Sequence, residues 1–329
     1  MTKTNQQKVK DFLINNGVII VMFILVIYTG FTSDNFFTRN NFMNILMNMS
    51  SRLVIALGIA GCVITAGCDL SAGRMIGFGA CISGMLLQRM DYSGKFFPDM
   101  QPLNVFVVAL IAMLVCAAFG TVTGFFIAYL NVPPFIATLA MMEIVYGIGL
   151  IVTNATPLGG YVEQYTNVSN GKFLGINYLI WIAIIVAAIT WFIFNMTRHG
   201  KYMYAIGGNP QAAEVAGVPV KATLILIYMK AAAMYGLAGF MLGAKAGGAS
   251  VNLGYGYEME AIAACTIGGV SVTGGRGKVS SAIIGVAVFE LLKAALQYLG
   301  VDANAQYIAI GIVIFVAISL DIRKYVAKK

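Results

Sequence analysis

The sequence RHGKYMYAIGGNPQAAEVAGVPVK, residues 198–221, is a polar island in an otherwise apolar chain. Within it, Asn209 suits the capping position of a helix, and Pro210 suits the first helical residue, where its missing N–H is not needed. Gly217 suits the left-handed residue that ends a helix, and Pro219 prevents continuation. The pattern predicts one helix of about seven residues, roughly 10 Å long. Because that is too short to cross a bilayer, we expect it to lie on the surface.

This short helix is a candidate contact surface for another protein. Ala212, Ala213 and Ala216 carry small side chains, so a partner backbone can approach closely. In a membrane protein, we expect such a helix on the cytoplasmic side to transmit force or information to a soluble partner. An ordinary capped connector between membrane segments is the alternative that these residues leave open.

The composition indicates a membrane protein with several spans. The chain has 329 residues, of which 59% are hydrophobic and only 10% are charged, and its mean hydropathy is +0.83. A soluble domain carries about 25% charged residues. The net charge of +8 does not indicate nucleic-acid binding, because the basic residues stand at the ends of apolar segments. That position is typical of residues that orient a protein in a membrane.

The sequence lacks the side chains of several kinds of catalytic site. His199 is its only histidine, which argues against a histidine-based metal site or a serine–histidine–aspartate triad. Its five cysteines include no CxxC pair and suit packing in apolar segments. Gly277 and Lys278 precede Val279, so the phosphate-binding sequence GxxxxGK[ST] is absent. We expect no catalytic residue, no metal and no bound cofactor, and if the protein uses ATP, the subunit that hydrolyses it is another chain.

Hydropathy predicts an all-α bundle of about ten membrane-spanning segments, with eight as the alternative. The segments are 12–32, 52–67, 72–88, 103–130, 133–153, 176–196, 222–247, 259–273, 279–299 and 304–321. Three of them, 52–67, 72–88 and 259–273, are short and glycine-rich. We expect broken or re-entrant helices there, which are stable only when protein surrounds them. Residues 1–329 are predicted to form one transmembrane domain with a cytoplasmic coupling loop at 198–221.

Most of the 21 basic residues fall on one side of this arrangement. That side carries both termini and the loop 198–221, so the positive-inside rule predicts that these parts are cytoplasmic. Arg74 is predicted to lie near the same side. The basic residues predicted on the opposite side are Arg39, Arg52, Arg89, Lys95 and Lys172.

Two glycine-rich segments resemble each other: TAGCDLSAGR at 65–74 and TIGGVSVTGGR at 266–276. Duplicated halves that meet at broken helices are common in transporters, so an internal repeat is one interpretation. Chance similarity between glycine-rich segments is the other. The candidate pore or broken-helix positions are Asp69, Ser71, Gly73, Gly268 and Gly269.

Several charged side chains lie within the predicted segments. Asp69 faces a cavity or a partner if it lies at membrane depth, and it also suits a helix cap; the two roles are compatible. Glu290 and Lys293 are three residues apart on one helix face, which predicts an intramembrane ion pair. Further intramembrane charges are Glu143, Lys230 and Lys245. Structural pairing explains most such residues, and a proton relay is the alternative.

The segment 251–260, VNLGYGYEME, combines aromatic, amide and carboxylate side chains. Such groups bind sugars, and they also form the aromatic belt at a membrane interface. We expect the belt.

In combination, these features resemble the membrane permease subunit of bacterial sugar ABC importers, in the branch that includes ribose, xylose, arabinose and galactose permeases. The stretches that carry the resemblance are 56–61, 65–73, 129–139, 205–218 and 260–275. Galactose/methyl-galactoside permeases in particular are similar over 129–139, 206–217 and 320–329. The similarity covers nearly the full length, and the order and spacing of the stretches make it specific.

The resemblance implies that the segment 207–217 couples the chain to an ATPase. The implied coupling residues are Gly207, Gly208, Asn209, Pro210, Gln211, Ala212, Ala213, Glu214 and Gly217. Many family members have Glu-Ala-Ala where this chain has Gln211-Ala212-Ala213, so Glu214 is the carboxylate that substitutes. The implied partners are a second permease subunit in a homodimer, an ABC ATPase, and a periplasmic or lipid-anchored sugar-binding protein.

The sequence therefore predicts a transport subunit, not an enzyme, in the bacterial inner membrane. Its predicted cargo is a monosaccharide such as galactose, glucose or methyl-galactoside, moved by alternating access. Another pentose or hexose, such as ribose, xylose or arabinose, is the first alternative. An ion-coupled secondary transporter is more distant, and an intramembrane enzyme or scaffold is the last.

Overall fold

The computed structural model describes residues 5–326, and helices dominate it, which confirms the predicted all-α class. The extreme ends of the predicted cytoplasmic termini, 1–4 and 327–329, lie outside the described residues. The helices are α1 (Asn5–Thr32), α2 (Arg39–Ile64), α3 (Ala72–Leu86), α4 (Val105–Tyr129), α5 (Pro134–Thr153), α6 (Glu163–Asn170), α7 (Tyr178–Met196), α8 (Arg198–Gly208), α9 (Pro210–Val215), α10 (Val220–Ala246), α11 (Tyr257–Gly268), α12 (Val279–Tyr298) and α13 (Ala303–Val326). Two short strands, β1 (Lys172–Phe173) and β2 (Ile176–Asn177), form an antiparallel hairpin.

Six of the described helices are long and apolar enough to cross a membrane: α2, α4, α5, α7, α10 and α12. Shorter apolar helices occur at 20–32 in α1, in α3, and at 303–316 in α13. All ten predicted segments coincide with helices, but the lengths establish only six spans. The multi-pass bundle is confirmed, and the count of about ten stays a prediction.

The predicted segment 52–67 is not a short or broken helix. It is the apolar part of α2, which begins at Arg39 after a cap in which Thr38 Oγ1 accepts the N–H of Asn41. The first turns of α2 carry polar residues, so the apolar pattern did not reveal where the helix starts. Arg52 consequently lies inside α2 and not in an outer loop. The apolar window of α2 is 78% buried, which makes α2 a central helix.

The predicted short helices α3 and α11 have 15 and 12 residues. The start of α3 lies within the bundle, because the thiol of Cys116 donates to the carbonyl of Met75 across 3.6 Å. Cys116 stands near the middle of α4. Helix α3 therefore begins at about half the depth of its neighbour, as expected of a broken helix.

The long helix α10 packs against α2, α3 and α4 and forms the centre of the fold. Glycine allows α4 to approach α10 closely: a Cβ added at Gly124 of α4 would lie 2.7 Å from Cα of Ile225. Helices in membranes commonly pack through small residues, because van der Waals contact replaces the hydrophobic effect there.

Candidate functional site

The polar island folds as two helices instead of the predicted one. α8 ends at Gly208, so Gly207 and Gly208 belong to it and not to the short helix α9. Asn209 separates the two helices with an extended backbone (φ −161°), and its Oδ1 accepts the N–H of Ala212 at 2.9 Å. The first helix was missed because its buried residues, Met203 and Ile206, are few among polar neighbours.

The local signals for α9 are correct. Pro210 is its first residue, and Gly217 follows it with a left-handed backbone at φ 81°. One of its alanines differs from expectation, because Ala213 is only 5% exposed and packs inward, whereas Ala212 and Ala216 are exposed. The exposed residues of 210–217 are Pro210, Gln211, Ala212, Glu214, Val215, Ala216 and Gly217. We call them the α9 surface.

The end of α8 is attached to two turns of the bundle. The N–H of Gly275 donates to the carbonyl of Ile64 at 2.8 Å, which joins the turn before α12 to the end of α2. The hydroxyl of Tyr204 donates to the carbonyl of Gly277, also at 2.8 Å. Gly207 lies against both partners of the first hydrogen bond. The end of α8, which leads into α9, therefore lies in contact with both the end of α2 and the turn before α12.

These attachments bring together the two segments whose sequences resemble each other. The turn after α2 joins a long helix to the short α3, and the turn before α12 joins the short α11 to a long helix. A Cβ added at Gly274 would lie 3.1 Å from the amide nitrogen of Ala66, so the two turns are in contact. The order of long and short helix is reversed between them.

Asp69 precedes α3 and is 2% exposed. Its Oδ1 accepts the N–H of Ser71 at 3.1 Å and the hydroxyl of Ser71 at 2.5 Å. Ser71 is the capping residue of α3 and makes no side-chain capping hydrogen bond itself. Asp69 thus stabilises the entry to α3, which fits the cap among the two predicted roles. Its carboxylate is enclosed by protein and does not lie on an open face.

Gly73 lies where α3 contacts the start of α11. A Cβ added there would lie 2.8 Å from the carbonyl oxygen of Gly254 and 3.0 Å from Cδ of Glu258. Glu258 is 4% exposed, and its Oε2 makes no hydrogen bond within the described residues. Two broken segments therefore meet at Gly73. Gly268 and Gly269 stand at the other end of α11, where Gly269 ends the helix at φ 103°.

Glu290 and Lys293 belong to an ion cluster but pair with other residues in the described structure, not with each other. Lys293 Nζ lies 2.6 Å from Glu260 Oε1, and Arg52 Nη1 contacts Glu260 Oε2. Arg52 Nε lies 2.8 Å from Glu290 Oε1, an ion pair whose angle does not suit a hydrogen bond. The sequence did not predict this arrangement because Arg52, Glu260 and Glu290 come from three helices.

The ion cluster attaches the short helix α11 to α2 and α12. Side chains of the cluster are only 4–20% exposed, and each cation has a carboxylate partner. The guanidinium of Arg52 also lies 4.5 Å from the centre of the Tyr257 ring. Mutual pairing of this kind offsets the cost of burying charge, so the arrangement is that of structural pairing.

The position of Arg74 differs most clearly from the one predicted from the sequence. It was expected near the cytoplasmic side, but it lies one residue from Met75, at the middle level of α4. Its Nη1 donates to Oδ1 of Asn252 at 2.7 Å. Tyr146 and Tyr255 flank the guanidinium. The only available signal was the mixture of amide and aromatic residues in 251–260.

His199 of α8 is the one histidine, and it is half-buried near Lys230. Burial lowers its pKa to about 4, and the neighbouring positive charge of Lys230 acts in the same direction. The imidazole is therefore neutral near pH 7.

Comparison with known proteins identifies relatives of the whole chain. A family model described as "Branched-chain amino acid transport system / permease component" matches residues 41–318. Galactose/methyl galactoside import permease protein MglC of Escherichia coli (strain K12) is 40% identical, and the alignment covers 100% of both chains. Its namesake in Treponema pallidum (strain Nichols) is 36% identical over 97% of this chain and 64% of that protein.

Ribose permeases are also related. Ribose import permease protein RbsC of Escherichia coli (strain K12) is 32% identical over 96% of each chain. No solved structure matches this chain significantly. The resemblance noted in the sequence is confirmed, and the chain belongs to the family of membrane permease components that includes these sugar import permeases.

Proposed function

We propose that this chain is the membrane-spanning subunit of an ATP-driven importer of a galactose-type monosaccharide. The observation that carries the proposal is the 40% identity over the full length to a galactose/methyl galactoside import permease. Identity to the ribose import permease is 32%, so ribose or another pentose or hexose is the second candidate. An ion-coupled transporter finds less support, because the intramembrane charges of the ion cluster are mutually paired.

The proposed arrangement has about ten membrane segments in one domain over residues 1–329. They are the six long helices together with α1, α3, α11 and α13. Both termini and the α9 surface lie in the cytoplasm of a bacterium, and the membrane is the inner one. The distribution of basic residues and the two broken segments that meet at Gly73 support this arrangement.

The proposed partners are a second permease subunit, an ABC ATPase that binds ATP and Mg²⁺, and an extracytoplasmic sugar-binding protein. The ATPase docks on the α9 surface, and no cofactor binds the permease itself. Closure of the ATPases displaces α8 and α9, and the Gly275–Ile64 and Tyr204–Gly277 hydrogen bonds carry that movement to α2 and α12. The bundle then alternates between inward-open and outward-open states.

Transport in reconstituted vesicles tests this proposal. The purified permease is incorporated with its ATPase and binding protein, and uptake of radiolabelled D-galactose is measured with D-ribose as competitor. We expect accumulation that requires ATP and both partners. Accumulation by the permease alone, or uptake that a protonophore abolishes while ATP is maintained, would contradict an ATP-driven mechanism.

A further inference from the structure

Four side chains form a polar and aromatic cluster between α3, α5 and the loop before α11. The guanidinium of Arg74 lies 3.9 Å from the centre of the Tyr146 ring and 4.5 Å from that of Tyr255. Arg74 Nη1 donates to Asn252 Oδ1 at 2.7 Å. We call Arg74, Tyr146, Asn252 and Tyr255 the Arg74 cluster.

The Arg74 cluster lies near the middle of the membrane. The carbonyl of Met75, the next residue, accepts the thiol proton of Cys116 in α4. At a rise of about 1.5 Å per residue, Cys116 is roughly 17–20 Å from either end of that helix. The hydrocarbon core is about 30 Å thick, so Arg74 is far from both interfaces. Tyr146 is likewise well inside α5.

One side of the cluster is open. Asn252 is exposed, and Tyr255 is 63% exposed. Glu143 is also exposed and stands three residues before Tyr146, so both lie on one side of α5. Within the described residues, Glu143 has no ion pair, and the buried Nε of Arg74 has no hydrogen-bond partner.

This open side does not suit contact with lipid. A carboxylate, an amide and a guanidinium at the middle of the bilayer are costly unless they face water or a partner. They do not belong to an interfacial aromatic belt either, since that belt lies at the membrane surface. The open side therefore faces a water-filled path, and this chain forms one wall of that path.

We propose that the Arg74 cluster, together with Glu143, is a sugar-contact site on the translocation path. This inference rests on the proposed function and deepens it by naming residues that touch the cargo. The guanidinium donates paired hydrogen bonds to neighbouring sugar hydroxyls, and the Glu143 carboxylate accepts hydrogen bonds from others. The exposed ring of Tyr255 packs against the apolar face of a pyranose. An open site of this kind binds weakly enough to release the sugar, as a conduit requires.

Water access is the first test, and it does not depend on an active transporter. Cysteine is introduced as Asn252→Cys in the full chain, and its reaction with a membrane-impermeant, positively charged methanethiosulfonate is measured in vesicles. Ile144→Cys is the matched control, since Ile144 is 50% exposed on a different side of α5. The parent chain gives the background of its own cysteines.

We expect Asn252→Cys to react much faster than Ile144→Cys, and D-galactose to slow the reaction. Equal, slow labelling of both positions would overturn the inference. This result is separate from the failure of the proposed function, which would show as absence of ATP-dependent uptake by the unaltered chain.

Transport by variants is the second test. Arg74→Ala and Tyr255→Ala are expected to lower galactose uptake about tenfold, while the ATPase activity stimulated by the binding protein stays within about twofold of the parent. Tyr255→Phe keeps the ring and should keep most uptake. Arg89→Ala, which removes an exposed arginine elsewhere, is the control.

Glu143→Gln is a variant that should fold normally, because Glu143 is exposed and has no partner in the described structure. Its transport can therefore be interpreted even if the other variants fail to fold. We expect the uptake KM to rise with normal membrane insertion. Suppose that the unaltered assembly transports galactose and that Glu143→Gln and Tyr255→Ala both keep parental uptake. That result would overturn the inferred sugar-contact site and leave the proposed function intact.

Discussion

The amide of Gly275 donates a hydrogen bond to the carbonyl of Ile64 across 2.8 Å, although the two residues are more than 200 positions apart in sequence. The bond joins the turn before α12 to the end of α2. It lies against the last residues of α8, which lead into the α9 surface. This contact is a structural connection from the proposed ATPase docking surface to α2 and α12.

A substitution at Gly207 tests this connection. A Cβ added there would lie 2.6 Å from the Gly275 amide nitrogen and 2.9 Å from the Ile64 carbonyl carbon. It would overlap backbone atoms, so the backbone of α8 or of these two turns would have to shift. We expect Gly207→Ala to reduce ATP-driven uptake strongly. Gly208→Ala is the matched control, because an added Cβ there has nothing within 4 Å. Equal uptake by the two variants would show that the contact carries no movement.

Docking of the ATPase on the α9 surface predicts sensitivity at Val215. Its side chain is 91% exposed, which is unusual for valine in the absence of a partner. Val215→Arg should weaken co-purification of the ATPase, because a charge would be buried in the interface. Leu174→Arg, at another strongly exposed apolar residue (78%) in the β1–β2 hairpin, should leave co-purification unchanged. Retention of the ATPase by Val215→Arg would place its docking surface elsewhere.

The ion cluster predicts a large loss of stability when one charge is removed. Glu290→Ala leaves the partly buried Arg52 with one carboxylate fewer, and the expected cost is about 3–5 kcal/mol. Thermal unfolding in detergent measures it. Arg89→Ala, which breaks an exposed pair with Asp91, should cost only about 0–1 kcal/mol.

A double variant separates pairing from packing in the same cluster. Arg52→Met combined with Glu290→Met removes both charges, so it should be more stable than Glu290→Ala alone. Additive losses from the two positions would mean that the ion pair contributes nothing to holding α12 against α2.

His199 predicts a pH dependence of stability. Its pKa is about 4 in the folded protein and about 6.5 when unfolded. The unfolded chain therefore binds the proton more tightly, and folding opposes protonation. The contribution is complete above about pH 6.5 and is lost as the pH falls from there towards 4. The Tm of His199→Gln should fall less than that of the parent between pH 7.5 and 5; identical slopes would contradict the shift.

Local chemistry made some elements predictable from the sequence. The caps at Asn209 and Gly217 act within a few residues, so the boundaries of α9 followed from the residues themselves. The start of α2 did not, because its first turns are polar and their burial depends on neighbouring helices. The inward orientation of Ala213 was missed for the same reason: it is set by packing and not by helix propensity.

The amino-acid sequence alone predicts an apolar helical bundle of the permease family with a short capped helix at 210–216. Composition, hydropathy and capping residues can be read from neighbouring residues, because their effects do not depend on which distant helices pack nearby. Packing of distant helices adds that Glu260 takes the place of Glu290 beside Lys293, and that Arg74 lies between Tyr146 and Tyr255 at the level of the middle of α4. Those positions depend on helices far apart in sequence, whose packing fixes which charges meet.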